Sequence, residues 1–160
     1  MMAIFNKKIL DRISQKLLRK KQTIAVAESV TSGLLQFAFS QTKDAARFFQ
    51  GGITCYNLGQ KVKHLNVEPI HAAECDCVSA SVAEEMALKV AENFKSDWAI
   101  SITGYATPVP ESGKKLFCYY SIVFRGTQKA KGKITHSKSE ATDVQLHYVN
   151  TLLANLEKLI

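Results

Sequence analysis

The sequence holds three prolines, eight glycines and four cysteines in 160 residues. So little proline and glycine excludes collagen-like and low-complexity architectures. The cysteines are Cys55, Cys75, Cys77 and Cys118. A structural zinc site normally needs two Cys/His pairs at C-x₂₋₄-C spacing. Here only Cys75-Asp76-Cys77 forms a pair, with His71 upstream, while Cys55 and Cys118 sit alone in apolar runs. Lone cysteines in such runs behave as small hydrophobes, so no metal cofactor is expected. No apolar stretch approaches the ~20 residues of a membrane span, and no membrane association is expected. Met1 to Lys8 has no apolar core of the kind a signal peptide requires. The expected location is the cytoplasm, where thiols stay reduced.

Acidic residues are also scarce: 14 against 21 lysines and arginines, for a formal net charge of +7. A basic surplus attracts phosphate. Yet the lysines fall in Lys7–Lys21, Lys61–Lys63 and Lys129–Lys138, with no row of aromatics between them and no zinc-finger or glycine-aromatic RNA motif. Solvated faces explain this pattern, and nucleic acid is not an expected partner.

What remains is ordinary globular material, 46% hydrophobic and 22% charged, of a length that suits one domain. Ile9, Ile13, Leu17 and Leu18 predict an amphipathic helix over 7–20. Thr23–Ala27 and Trp98–Ile102 are short apolar runs suited to neighbouring strands buried on both faces. Leu34–Phe39 resumes a helical pattern. Phe48–Tyr56 reads as a strand with a turn or bulge at Gly51-Gly52, Asn57–Leu65 as a short basic helix and Pro69–Cys77 as a connection. A helix follows to Lys95, opened by a capping box of Ser81 and Glu84. Tyr105–Lys115 reads as a loop, Leu116–Phe124 as an aromatic strand, Lys129–Ser137 as a polar edge strand and Asp143–Ile160 as a closing helix. The expected fold is a single-domain three-layer α/β/α sandwich around a mixed sheet.

Ligands in open α/β sheets bind beyond the carboxyl ends of strands. Two such ends carry small polar groups, Glu28-Ser29 and Thr103-Gly104. The first lies in a strand–turn–helix context. There Ser29 is either a nucleophile or, like Thr31, a helix cap. The amides of Thr31, Ser32 and Gly33 are placed to hold an oxyanion or a phosphate. None of His64, His71, His136 or His147 falls in a segment that can be set beside Ser29. Lys61 is the better base, provided it is desolvated rather than solvated like most lysines of short helices. Tyr56 lies just before it.

Four ordered segments carry a resemblance: Ala27-Glu28-Ser29-Val30-Thr31-Ser32-Gly33, Gly52 to Lys61, Val78-Ser79, and Ser101-Ile102-Thr103-Gly104-Tyr105-Ala106-Thr107-Pro108. They resemble A-E-S-C-T-G-G, G-F-V-T-Y-S-N-E-A-K, V-S and S-I-T-G-I-A-G-P of the competence-damage-inducible protein C-terminal domain family, whose members include nicotinamide mononucleotide deamidases. The resemblance runs from about Lys16 to the C-terminus. It implies hydrolysis of a nucleotide carboxamide to carboxylate and ammonia without a cofactor, with Ser29 as nucleophile, Lys61 as base and Tyr56 in the active site. It further implies substrate contacts at Thr103 and its neighbour Gly104, a stand-alone form of the domain, and a homodimer or larger assembly.

The departures concern the pocket. Val30 and Ser32 replace a cysteine and a glycine, Thr107 replaces a glycine, and Leu116-Phe117-Cys118-Tyr119 replaces P-V-G-T. Gln145 stands where the family has an arginine able to grip a phosphate. The alternative expectation is therefore a weakened or inactive member acting as a nucleotide-binding or regulatory module.

Overall fold

A computed structural model describes residues 4–160. Eleven principal elements follow in the order α1 (Lys7–Lys20), β1 (Ile24–Glu28), α2 (Leu34–Ser40), β2 (Phe49–Thr54), α3 (Leu58–Leu65), α4 (Pro69–Glu74), α5 (Ala80–Phe94), β3 (Trp98–Tyr105), β4 (Leu116–Phe124), β5 (Thr127–His136) and α6 (Ala141–Leu159). The sheet order is β2-β1-β3-β4-β5. β1 pairs in parallel with β2 and β3, and β4 is antiparallel to both β3 and β5. This is the mixed sheet expected, with β1 and β3 as central neighbours and β5 at an edge.

Alternation along the central strands separates the two cores. Ile24 and Val26 of β1 and Ile100 and Ile102 of β3 pack with α1, α2 and α6 against Ile13, Leu17, Phe39, Val149 and Leu153. Successive side chains point to opposite faces, so Ala25, Ala27 and Ala99 face Val82, Met86, Ala87 and Val90 of α5. Small residues on that face let α5 approach closely, and the Ser101 hydroxyl donates to the Ala83 carbonyl of the helix.

Several boundaries differ from expectation. Ser79, not Ser81, caps α5: its hydroxyl accepts from Val82 N at 3.1 Å. Ser81 lies inside the helix and donates to Glu85 instead. The Pro69–Cys77 connection contains α4, because Pro69 occupies the helix start and the Glu68 carboxylate accepts from Ile70 N and His71 N. β3 runs on to Tyr105 because its last residues pair with Phe117 and Cys118 of β4, so the following loop starts at Ala106. β2 ends at Thr54, β5 starts at Thr127 and α6 at Ala141. The β1–β2 irregularity lies just before the expected glycine pair: the register shifts between Phe49 and Gly51, Gly51 and Gly52 pair regularly with Ala25 and Val26, and Gly51 has φ of +120°.

Candidate active site

β1 delivers the nucleophile candidate to the carboxyl edge of the sheet. Ser29 follows its last residue and is pinned to β3 by Ser29 N donating to Ile102 O at 3.1 Å. Glu28, fully buried, organises the turn that follows. Its Oε2 accepts from Thr31 Oγ1 at 2.5 Å, Gly33 N at 3.1 Å and Leu35 N at 3.0 Å, and its Oε1 accepts from Gln36 N at 2.9 Å. Ser32 and Gly33 adopt left-handed φ of 49° and 99° to make the turn.

This overturns one expectation. The amides at the start of α2 are spent on Glu28 and cannot receive an oxyanion or a phosphate. Ser32 N donates to Ser29 O and Leu34 N to Thr31 O. Thr31, Ser32 and Gly33 therefore build the turn and do not line the cavity. Val30 N and Thr31 N are the amides between Ser29 and Gln36 that make no hydrogen bond among the described residues.

Lys61 comes from α3, a helix started by Asn57, whose Oδ1 accepts from Gln60 N at 3.0 Å. The lysine is only 2% exposed. Its Nζ lies 2.9 Å from Ser29 Oγ and donates to Cys55 O at 3.0 Å. Burial pushes the ammonium pKa below the ordinary lysine range, with Cys77, Cys55 and Asp76 opposing the shift. A neutral amine here accepts the Ser29 hydroxyl proton while still donating to Cys55 O.

Both groups open on a cavity of about 440 Å³ that Tyr56, Thr103, Gly104 and Gln145 also line. Ser29, Lys61, Tyr56, Thr103, Gly104 and Gln145 thus line one cavity, each in a particular way. Tyr56 forms an outer wall, 66% exposed, with no hydrogen bond to Ser29 or Lys61. Thr103 Oγ1 donates to Cys77 O at 2.8 Å. Gly104 is needed for close strand packing: a Cβ there would collide with the Phe117 carbonyl and the Cys118 Cα. Gln145 Nε2 donates to Val30 O at 2.8 Å, tying α6 to the turn beside the nucleophile.

Asp76 and Cys77 line the cavity too, although in the sequence Cys77 reads only as half of a C-x-C pair with Cys75 and Asp76 has no role. Both are left-handed, with φ of 51° and 60°, a conformation that costs non-glycine residues ~1–3 kcal/mol each. Cys77 N donates to Ala72 O, Thr103 holds Cys77 O, and Tyr105 Oη donates to Asp76 Oδ2 at 3.0 Å. Burial and the Asp76 carboxylate raise the Tyr105 pKa, keeping it a neutral donor. Glu111 supplies a second carboxylate to the lining, and Lys61 is the one cationic side chain in it among the described residues.

Comparison with known proteins shows the family and the fold. The family model described as "CinA C-terminal domain" matches residues 6–160. A "CinA-like protein" of Thermosynechococcus vestitus is 35% identical over 122 residues, 76% of this chain but 29% of that protein. A Mycoplasma genitalium protein is 28% identical over 148 residues, covering 92% of this chain and 94% of its own length. Among solved structures, the competence-damaged protein (CinA) superfamily protein of Escherichia coli superposes with a TM-score of 0.91 at 26% identity, covering 100% of this chain and 94% of its own. The competence or damage-inducible protein of Enterobacter asburiae gives 0.89 at 25% identity, covering 95% and 96% respectively.

Proposed function

The chain belongs to the CinA C-terminal domain family, and from that premise we propose that it is a serine–lysine amidohydrolase acting on a small-molecule carboxamide. The observation that carries the reading is the 2.9 Å contact between Ser29 Oγ and the buried Lys61 Nζ at the floor of a cavity. A lysine with a depressed pKa is a base suited to activating a serine.

In this reading Ser29 Oγ attacks the amide carbon as its proton passes to Lys61 Nζ. The Val30 N–H, unpaired among the described residues and on a residue that lines the cavity, is the donor left to meet the developing oxyanion. Lys61 then returns the proton to the amide nitrogen, the C–N bond breaks and ammonia leaves. Water, deprotonated by the again neutral Lys61, attacks the Ser29 ester. The proton held by Lys61 returns to Ser29 Oγ, and a carboxylate is released. Neither step calls on a group outside the chain's own residues, the substrate and water.

Nicotinamide mononucleotide is the carboxamide that the family resemblance implies. Gln145 is engaged with Val30 O, and Asp76 and Glu111 face the cavity, so its phosphate meets no cationic partner beyond the engaged Lys61. Turnover of that nucleotide is accordingly slow. The same feature favours the second reading, a nucleotide-binding or regulatory module that kept the pair without the reaction. Acid quench of an incubation with nicotinamide mononucleotide, followed by mass spectrometry, separates the two. An acyl adduct on the Ser29 peptide, absent from Ser29→Ala, supports the hydrolase; an unmodified peptide under conditions of demonstrated binding supports the module.

A further inference from the structure

A second cavity, of about 400 Å³, shares the loop of residues 106–115 with the Ser29 cavity, and its charge has the opposite sign. Lys114 and Lys115 reach it from the end of that loop, Lys133 and His136 from β5, and Lys138 from the segment after β5. The antiparallel register joins these groups, setting Leu116 against His136 and Tyr119 against Lys133. Lysines that no aromatic row separates in the sequence thereby meet the aromatics of β4 across the strand pair. Lys133 Nζ sits 4.0 Å from the Phe117 ring centroid and 5.5 Å from that of Tyr119, contacts that order a lysine without a carboxylate. Gly113 and Lys114 are both left-handed, with φ of 60° and 61°. Lys114 N donates to Val109 O and Lys115 N to Ser112 O, so the tight turn sets the two lysines at the cavity's edge.

Among the described residues no carboxylate lines this cavity. The ion pairs among the described residues lie elsewhere, joining Arg12 and Lys16 to Glu157, Lys89 to Glu92 and Arg125 to Asp97. Four exposed lysines line one concavity, so an entering anion meets only positive charge there among the described residues.

We propose that this cavity binds a polyphosphate group, of the size and charge of a nucleoside di- or triphosphate or of inorganic triphosphate. A single phosphate dianion leaves two of the four lysine charges unmatched, whereas three or four negative charges come closer to matching them. A nucleic-acid strand fits less well. The basic surface is a concavity, and a backbone leaving it across the loop meets the Asp76 and Glu111 carboxylates of the neighbouring cavity. The proposal is independent of the amidohydrolase reading.

Calorimetric titration of the purified chain at about 0.15 M salt, where surface charge is already screened beyond ~8 Å, tests it with sodium triphosphate, ADP and ATP. One-to-one binding is expected, weakened about tenfold or more by Lys114→Glu or by Lys133→Glu, since each removes a charged phosphate contact and ~1.4 kcal/mol is tenfold. Ser29→Ala is expected to bind within about twofold of the parent, because it leaves this cavity untouched. Equal affinity for triphosphate and ATP identifies the polyphosphate alone as the ligand, and tighter ATP adds a nucleoside contact; both support the site. Should a charge-reversal variant unfold, amide shift mapping on the parent chain serves instead, with shifts expected at 114–117 and 133–138. Absence of heat with millimolar triphosphate and nucleotides overturns the proposal. So do unchanged affinity in the folded lysine variants, loss of binding in Ser29→Ala, shifts confined to the Ser29 cavity, or a single-stranded oligonucleotide that outcompetes ATP.

Discussion

Replacing Glu28 by alanine strikes the stability of the domain and the placement of its nucleophile together. The carboxylate accepts four hydrogen bonds from the turn between β1 and α2. Two of the donors, the Thr31 hydroxyl and the Leu35 amide, belong to fully buried residues that water cannot reach without opening the core. A hydrogen bond to a charged group contributes ~1.5–3 kcal/mol, and a buried donor left unmatched costs ~1–3 kcal/mol. Those two losses alone place the cost of Glu28→Ala at about 3–6 kcal/mol, a large part of the ~5–15 kcal/mol that holds a domain folded. Glu28→Gln separates charge from shape. An amide oxygen at the Oε2 position keeps the bonds to Thr31, Gly33 and Leu35, while its NH₂ group meets the Gln36 N–H donor to donor. The expected cost is about 1.5–3 kcal/mol. Urea unfolding followed by circular dichroism gives both numbers from the midpoint and slope. The order parent, Gln, Ala is required. A loss below about 1 kcal/mol for Glu28→Ala refutes the account of the turn, because the four donors would then have found partners that the structure does not offer.

Lys61 carries a pH signature. Its folded pKa is depressed by burial, so the unfolded chain binds the extra proton between that pKa and the ordinary ~10.4; stability therefore rises with pH through this window. Urea midpoints in that range should climb with pH in the parent, and the climb should be smaller in Lys61→Met, which is also expected to be inactive yet at least as stable at pH 7. Activity in the parent should rise with pH to a plateau reached below the pH an exposed lysine would need. Gln145→Arg gives up the tie to Val30 O and offers a guanidinium to a phosphate. KM for nicotinamide mononucleotide is expected to fall about tenfold, and an unchanged KM contradicts the assignment of Gln145 to the substrate cavity.

Local rules mark Ser29 and Lys61 as candidates but leave each with an ordinary structural role as the alternative, and it is the family resemblance that joins them as a pair. Ser29 lies where an apolar strand gives way to a helix, and Lys61 is on a short helix just after the next strand. Apolar periodicity likewise located α1, β1, β3 and α6 to within a few residues. Glu28 was not legible. At the end of an apolar run it reads as the polar close of a strand, and only the folded turn shows it capping α2 with both carboxylate oxygens. The amides of Ser32 and Gly33 looked available for the same reason. Asp76 was hidden because its contact with Tyr105 spans 29 positions. The α5 cap shifted from Ser81 to Ser79 because two serines of equal propensity stand two positions apart. Backbone geometry outside the sequence pattern chose between them. The basic cavity depends on the β4–β5 register, which composition cannot supply.

Ammonia release from nicotinamide mononucleotide, measured for the purified parent beside Ser29→Ala and Lys61→Met, addresses the central claim most directly. Slow release in stoichiometric step with the carboxylate product, lost in both variants while their folds persist, is the predicted result. Release by the parent that is no greater than by folded Ser29→Ala would contradict the assignment of Ser29 as the nucleophile of a carboxamide hydrolase.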